Sequence, residues 1–211
     1  MITFTREEIR DMIIAVFALS ILYSFTITRS SGWSIDTLML FIPISFVAVG
    51  LGFILHELGH KIVAQKFGFF SEFRRWDYGL ILGFLTVPLG FMVFAPGAVY
   101  FGSYGRMVTA EENGKISLAG PVVNIVLAIL ALLLTLSIRP YLSMENAGVM
   151  YIVLLTLVLT FNVNSFLALF NLLPIPPLDG SKVIQWNIPI YLLALAVSGI
   201  LTYMSYTITL I

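Results

Sequence analysis

The chain has no cysteine, only two histidines and few charges: Asp, Glu, Lys and Arg make up 10% of its 211 residues. Without cysteine there are no disulfides and no thiolate ligands, so a transition metal bound here must use His, Asp or Glu. Eleven basic and eleven acidic residues balance to zero net charge. That leaves no basic footprint for nucleic acid, and no interleaving of aromatic and basic residues suited to single strands is present. So few charges cannot cover the surface of a soluble core of this size. The chain is instead 59% hydrophobic with a mean hydropathy of +1.01, the composition of a protein whose solvent is the lipid bilayer.

Five segments carry the roughly 20 mostly apolar residues that a spanning helix needs: 12–28, 37–55 continuing into His60, 118–138, 149–172 and 188–210. No linker or charged tract divides them, so a single membrane domain over 1–211 is expected. Thr5 followed by Glu8 has the form of a capping box at the start of the first helix. No small-residue cleavage site follows that first apolar run, and Glu7, Glu8 and Asp11 lie beside Arg6 and Arg10, so a cleaved signal peptide is not expected.

The stretch from Tyr78 to Phe101 is apolar too, but Gly79, Gly83, Pro88, Gly90, Pro96, Gly97 and Gly102 break or bound it. Breakers at that spacing disfavour a continuous helix. The runs between them, Leu80 to Val87, Phe91 to Phe94 and Val99 to Phe101, read as re-entrant strands or hairpins, which membrane depth permits only where the backbone finds partners within the protein. The fold class expected is therefore an α-helical polytopic membrane protein with about five spanning helices and a small re-entrant β region. If Tyr78–Phe101 does not cross, nine of the eleven Lys and Arg fall on the side of the amino terminus. The positive-inside bias makes that side cytoplasmic.

The second span ends in His56-Glu57-Leu58-Gly59-His60. Histidines four apart share a helical face and can reach one metal ion, and the glutamate after the first sits where it can take a proton from metal-bound water. A lone histidine in an apolar helix is ordinarily a satisfied core residue, but both histidines of this chain fall in the one array. Glu57 is also the only acid between Asp36 and Glu72, in or near hydrocarbon where a charge costs roughly 2.5–3.5 kcal/mol. A catalytic zinc ion takes three protein ligands and keeps one open position, so a carboxylate is still required. Asp179, after the prolines of Asn171-Leu172-Leu173-Pro174-Ile175-Pro176-Pro177-Leu178-Asp179-Gly180, ends an apolar span on the same side. An ordinary turn residue before glycine is the bland reading of Asp179, and Glu72, Asp77, Glu111 and Glu112 are its rivals on that side.

His56-Glu57-x-Gly59-His60 and Asn171-x-x-Pro174-x-Pro176-Pro177-x-Asp179-Gly180 together resemble the two signatures of the site-2 protease family of intramembrane metalloproteases. Gly120-Pro121-x-x-Asn124 is similar to a third family element. The resemblance covers about residues 38–182 and implies a catalytic core of three spanning helices with a β region between the first two, flanked by extra helices. It implies one Zn2+ per chain on His56, His60 and Asp179, Glu57 as catalytic base, Asn171 steadying the oxyanion or the substrate backbone, and a transmembrane protein segment as substrate. Asn124, Asn162 and Asn164 also read as polar contacts between helices. A membrane metal carrier or sensor using the same ligands is the alternative from another class, and Glu57 discriminates, since a carrier gains nothing from a base beside the ligand.

Overall fold

The computed structural model describes residues 2–90, 95–103, 105–142 and 147–207. It forms two compact units, Met1–Met107 and Val108–Ile211. Among the described residues, five helical stretches are long and apolar enough to cross a membrane: Arg6–Ile27, Ile35–Lys66, Ala110–Tyr141, Gly148–Asn171 and Ile188–Thr207. They lie where the apolar runs place them, and they make this a multi-pass membrane protein.

In the first unit, α1 (Arg6–Ile27) starts on the expected capping box: the Glu8 N–H donates to Thr5 Oγ1, and the Glu8 side chain returns to the Thr5 N–H. The second span is composite. Helix α2 (Ile35–Ser45) holds Pro43, which cannot donate to the helical ladder, and a π-helical turn at Phe46–Leu51 follows before α3 (Gly52–Lys66). Gly50 lies in that turn because a Cβ there would stand 2.9 Å from Val16 Cγ1, so α1 and the π turn touch backbone to side chain. With no hydrophobic drive between helices in lipid, such close packing supplies the adhesion. Met12, Ala15, Val16 and Leu19 of α1 pack with Phe53 of α3 and Phe73 to form the buried core of this unit.

After α3 the chain forms β1 (Phe70–Arg75), helix α4 (Asp77–Thr86) and β2 (Gly97–Gly102). The strands pair antiparallel as a two-stranded sheet, with Phe73 opposite Val99. The expected strand over Leu80–Val87 is thus corrected to a helix and a short 3-10 turn, Val87–Leu89. Gly79 and Gly83 weaken a helix by about 1 kcal/mol each, but close packing overrides the propensity: a Cβ on Gly79 would lie 2.1 Å from the Ala95 carbonyl oxygen. The expectation for Phe91 to Phe94 lies outside the described residues, whereas Val99–Phe101 is strand as read. Its partner β1, Phe-Ser-Glu-Phe-Arg-Arg, is too charged to read as a membrane-depth strand.

Two contacts fix the course of this segment. Near its start, Arg75 pairs with Asp77 at 2.8 Å and lies 3.7 Å from Asp11 at the head of α1. At the other end of the α4 stretch, Gly90, with φ +100°, lies against the guanidinium of Arg29 beyond the tail of α1. The Trp76 N–H then donates to the Pro96 carbonyl at 3.0 Å. The segment runs along α1 and returns to its entry level, a re-entrant course.

The second unit contains α5 (Ala110–Ile138), α6 (Ala147–Asn171), α7 (Gly180–Trp186) and α8 (Ile188–Thr207). Helix α5 begins eight residues before the predicted span at Leu118, because Thr109 and Glu112 close a second capping box. Asn124 donates to Asn164 at 2.8 Å between buried α5 and α6 faces, the interhelical contact expected of it. Thr202 of α8 donates to the Ser165 carbonyl at 3.0 Å, tying α8 to α6.

Candidate metal centre

Helix α3 carries His56, Glu57 and His60, all buried. The i, i+4 spacing brings the two imidazoles edge to face with Nε2 atoms 3.0 Å apart. That separation is near the roughly 3.4 Å edge of a zinc tetrahedron with bonds of about 2.1 Å. His56 and His60 belong to the first unit and Asp179 to the second. Two imidazoles and one carboxylate, with no thiolate available, are the donor set of a catalytic zinc site.

Asp179 stands half-buried just before α7. The prolines end α6 as expected, and Pro174, Ile175, Pro176 and Pro177 are exposed. The loop closes on itself: a Cβ on Gly180 would meet the Leu172 carbonyl oxygen at 2.1 Å. Glycine is needed here for that close approach and not for a left-handed turn. Lys182 Nζ donates to the Pro177 and Leu178 carbonyls, and the Ser181 hydroxyl to Leu178 at 2.7 Å, so α7 secures the loop that bears Asp179. Asn171 is the last residue of α6, and its amide nitrogen donates back to the Leu167 carbonyl at 3.0 Å.

The rival acids are engaged elsewhere. Glu72 accepts from the Thr5 hydroxyl at 2.6 Å and from Arg74 at 3.0 Å, and it is buried. Asp77 pairs with Arg75, Glu111 with Lys115, and Glu112 caps α5.

Glu57 has a partner that sequence reading missed. Its Oε2 accepts the backbone N–H of Val99 on β2 at 3.0 Å. Across the sheet, the N–H of Phe73, the register partner of Val99, donates to Glu8 Oε1 at 3.1 Å. Both N–H groups therefore leave the sheet outward, as in a non-hydrogen-bonded antiparallel pair. Lys61, one helical turn beyond Glu57, reaches the other strand: its Nζ donates to the Ser71 carbonyl at 2.8 Å and pairs with Glu8 at 2.8 Å. Helix α3 thus grips the sheet through both strands near one register. A backbone donor leaves no trace in sequence; the Glu8–Lys61 pair had only the faint signal of a lysine inside the motif helix.

Relatives from several organisms carry the name putative zinc metalloprotease. MJ0611 of Methanocaldococcus jannaschii is 43% identical over 205 residues, covering 96% of this chain and 97% of that one. YwhC of Bacillus subtilis is 30% identical over 159 residues, 70% of each chain. Rip2 of Mycolicibacterium smegmatis is 31% identical over 164 residues, 68% of this chain and 60% of that one. No family model and no solved structure matches the chain. With zinc as the metal that these names and the His56, His60 and Asp179 donor set point to, the chain belongs to the family of zinc metalloproteases that its relatives represent.

Proposed function

We propose that the chain is an intramembrane zinc endopeptidase of the site-2 protease type, cleaving peptide bonds in or near the spanning segments of other membrane proteins. The observation that carries this reading is a buried His-Glu-x-x-His array on a helix that is part of a 32-residue apolar span. In this reading His56, His60 and Asp179 hold the ion, and Glu57 takes the proton of the attacking water and passes it to the leaving amine. Zinc would lower the pKa of its bound water toward about 7 and polarise the scissile carbonyl. Asn171 would steady the developing oxyanion from the end of α6, after releasing Leu167.

A helical substrate pairs its own amides, so it must be unwound before attack. The outer edge of β2, whose Val99 amide touches Glu57, is the place for an extended stretch to add as a third strand. The positive-inside bias puts the amino terminus and the catalytic motif toward the cytoplasm, which keeps the water path short. The test is a Glu57→Gln protein assayed for bound zinc and for cleavage of a membrane-spanning substrate. Zinc retained with cleavage down by about 10²-fold or more supports the reading, and cleavage at the wild-type rate overturns it.

A further inference from the structure

We propose that substrate docking and release of the catalytic base are coupled through one backbone amide, the N–H of Val99. This rests on the protease reading above and concerns how that same site is switched on. Alternation along a strand sends the N–H and C=O groups of Gly97, Val99 and Phe101 to the outer edge of β2, and those of Ala98, Tyr100 and Gly102 toward β1. The Val99 N–H is fixed in that outward set by its bond to Glu57 Oε2 at 3.0 Å.

An extended peptide added along this edge in ladder register needs the same N–H as a donor. An amide hydrogen aimed at one acceptor along a good geometry is lost to another. The Glu57 carboxylate and the substrate carbonyl therefore compete for it. Before substrate arrives, Val99 holds Glu57 against the sheet. When a substrate carbonyl takes the amide, Glu57 Oε2 loses its backbone donor and can turn to the proton of the attacking water. No covalent bond changes in this exchange: one hydrogen bond replaces another. The carboxylate thus yields this amide to a polypeptide in strand form and keeps it when the site contains only water.

The sheet is built to keep this amide in place. Phe73, opposite Val99, is buried and has its own N–H on Glu8, and Glu8 is paired with Lys61 on the helix that carries Glu57. Slippage of β2 past β1 by one residue would turn the Val99 N–H inward and remove it from the carboxylate.

The test measures binding of a fluorophore-labelled hydrophobic hexapeptide, with a reduced amide at its centre to prevent cleavage, to the full-length zinc-loaded protein in detergent. Glu57→Ala removes the competitor, so the peptide is expected to bind about fivefold tighter or better, the worth of one hydrogen bond. Val99→Pro removes the donor; its N–H makes no bond within the sheet, so the ladder is spared. In that background the peptide is expected to bind more weakly than to wild type, and Glu57→Ala is expected to add no gain. If Val99→Pro fails to retain zinc, an amide-to-ester replacement at residue 99, which keeps the side chain, takes its place. A Glu57→Ala gain that is absent in the wild-type background, or equal in both backgrounds, overturns the coupling. Cleavage of a membrane-spanning substrate by the wild-type protein is measured in parallel: its absence sinks the protease reading, whereas cleavage without coupling sinks only this inference.

Discussion

Replacing Lys61 by methionine is expected to destabilise the first unit by about 3–5 kcal/mol, the cost of leaving one member of a buried ion pair without the other. Lys61 and Glu8 are 1% and 0% exposed, with Nζ 2.8 Å from Oε1 and 2.9 Å from Oε2. Methionine keeps most of the apolar stem, so little of the loss comes from a cavity. Roughly 1 kcal/mol comes from the Ser71 carbonyl, which loses its Lys61 donor. The remainder reflects a Glu8 carboxylate held only by the N–H groups of Phe73 at 3.1 Å and Thr5 at 3.4 Å. In the Glu8→Gln, Lys61→Met double variant no buried charge is orphaned, and the glutamine oxygen can still accept from Phe73. That protein is expected within about 2 kcal/mol of wild type. Reversible unfolding in mixed micelles, with the four proteins of the cycle compared under saturating zinc, measures both numbers. A Lys61→Met loss below about 1 kcal/mol, or a double variant no more stable than Lys61→Met, would show that the pair is not desolvated as its burial indicates.

Three further outcomes are expected. Asp179→Ala should lower zinc affinity by more than the roughly 10–100-fold typical of losing an outer hydrogen-bond partner, as read by chelator competition; unchanged affinity would remove Asp179 from the ligand set. Gly180→Ala should cost about 1–3 kcal/mol through overpacking, since its Cβ would meet the Leu172 carbonyl oxygen at 2.1 Å, while Gly199→Ala, with nothing within 4 Å, serves as a neutral control in thermal unfolding. Because the natural chain has no cysteine, single cysteines can report sidedness directly. Cysteines at Glu111 and Lys182 should label from the side opposite to one at Arg139, and labelling of all three from one side would refute the five-span topology.

Much of the fold was legible because the bilayer imposes a length on apolar runs. All five spans, both histidines with Glu57 on one helix, and the capping box at Thr5 follow from local spacing. Asp179 came from counting donors, since a chain without cysteine and with two histidines has only carboxylates left to complete a zinc site. Other features belong to tertiary structure alone. Residues 80–87 look like strand, yet they form a helix because Gly79 lets that helix close onto Ala95. The strand 70–75 looks like a charged loop because its partner lies more than twenty residues away and its Glu72 and Arg74 are satisfied by Thr5 and Glu7 at the start of α1. Glu8 and Lys61, 53 positions apart, meet only after the helices pack, and the amide that touches Glu57 is a backbone group with no side-chain signature. Sequence determined which atoms the proposed chemistry can use, through residue type and helical period; long-range pairing decided what holds Glu57, the proposed base, in place.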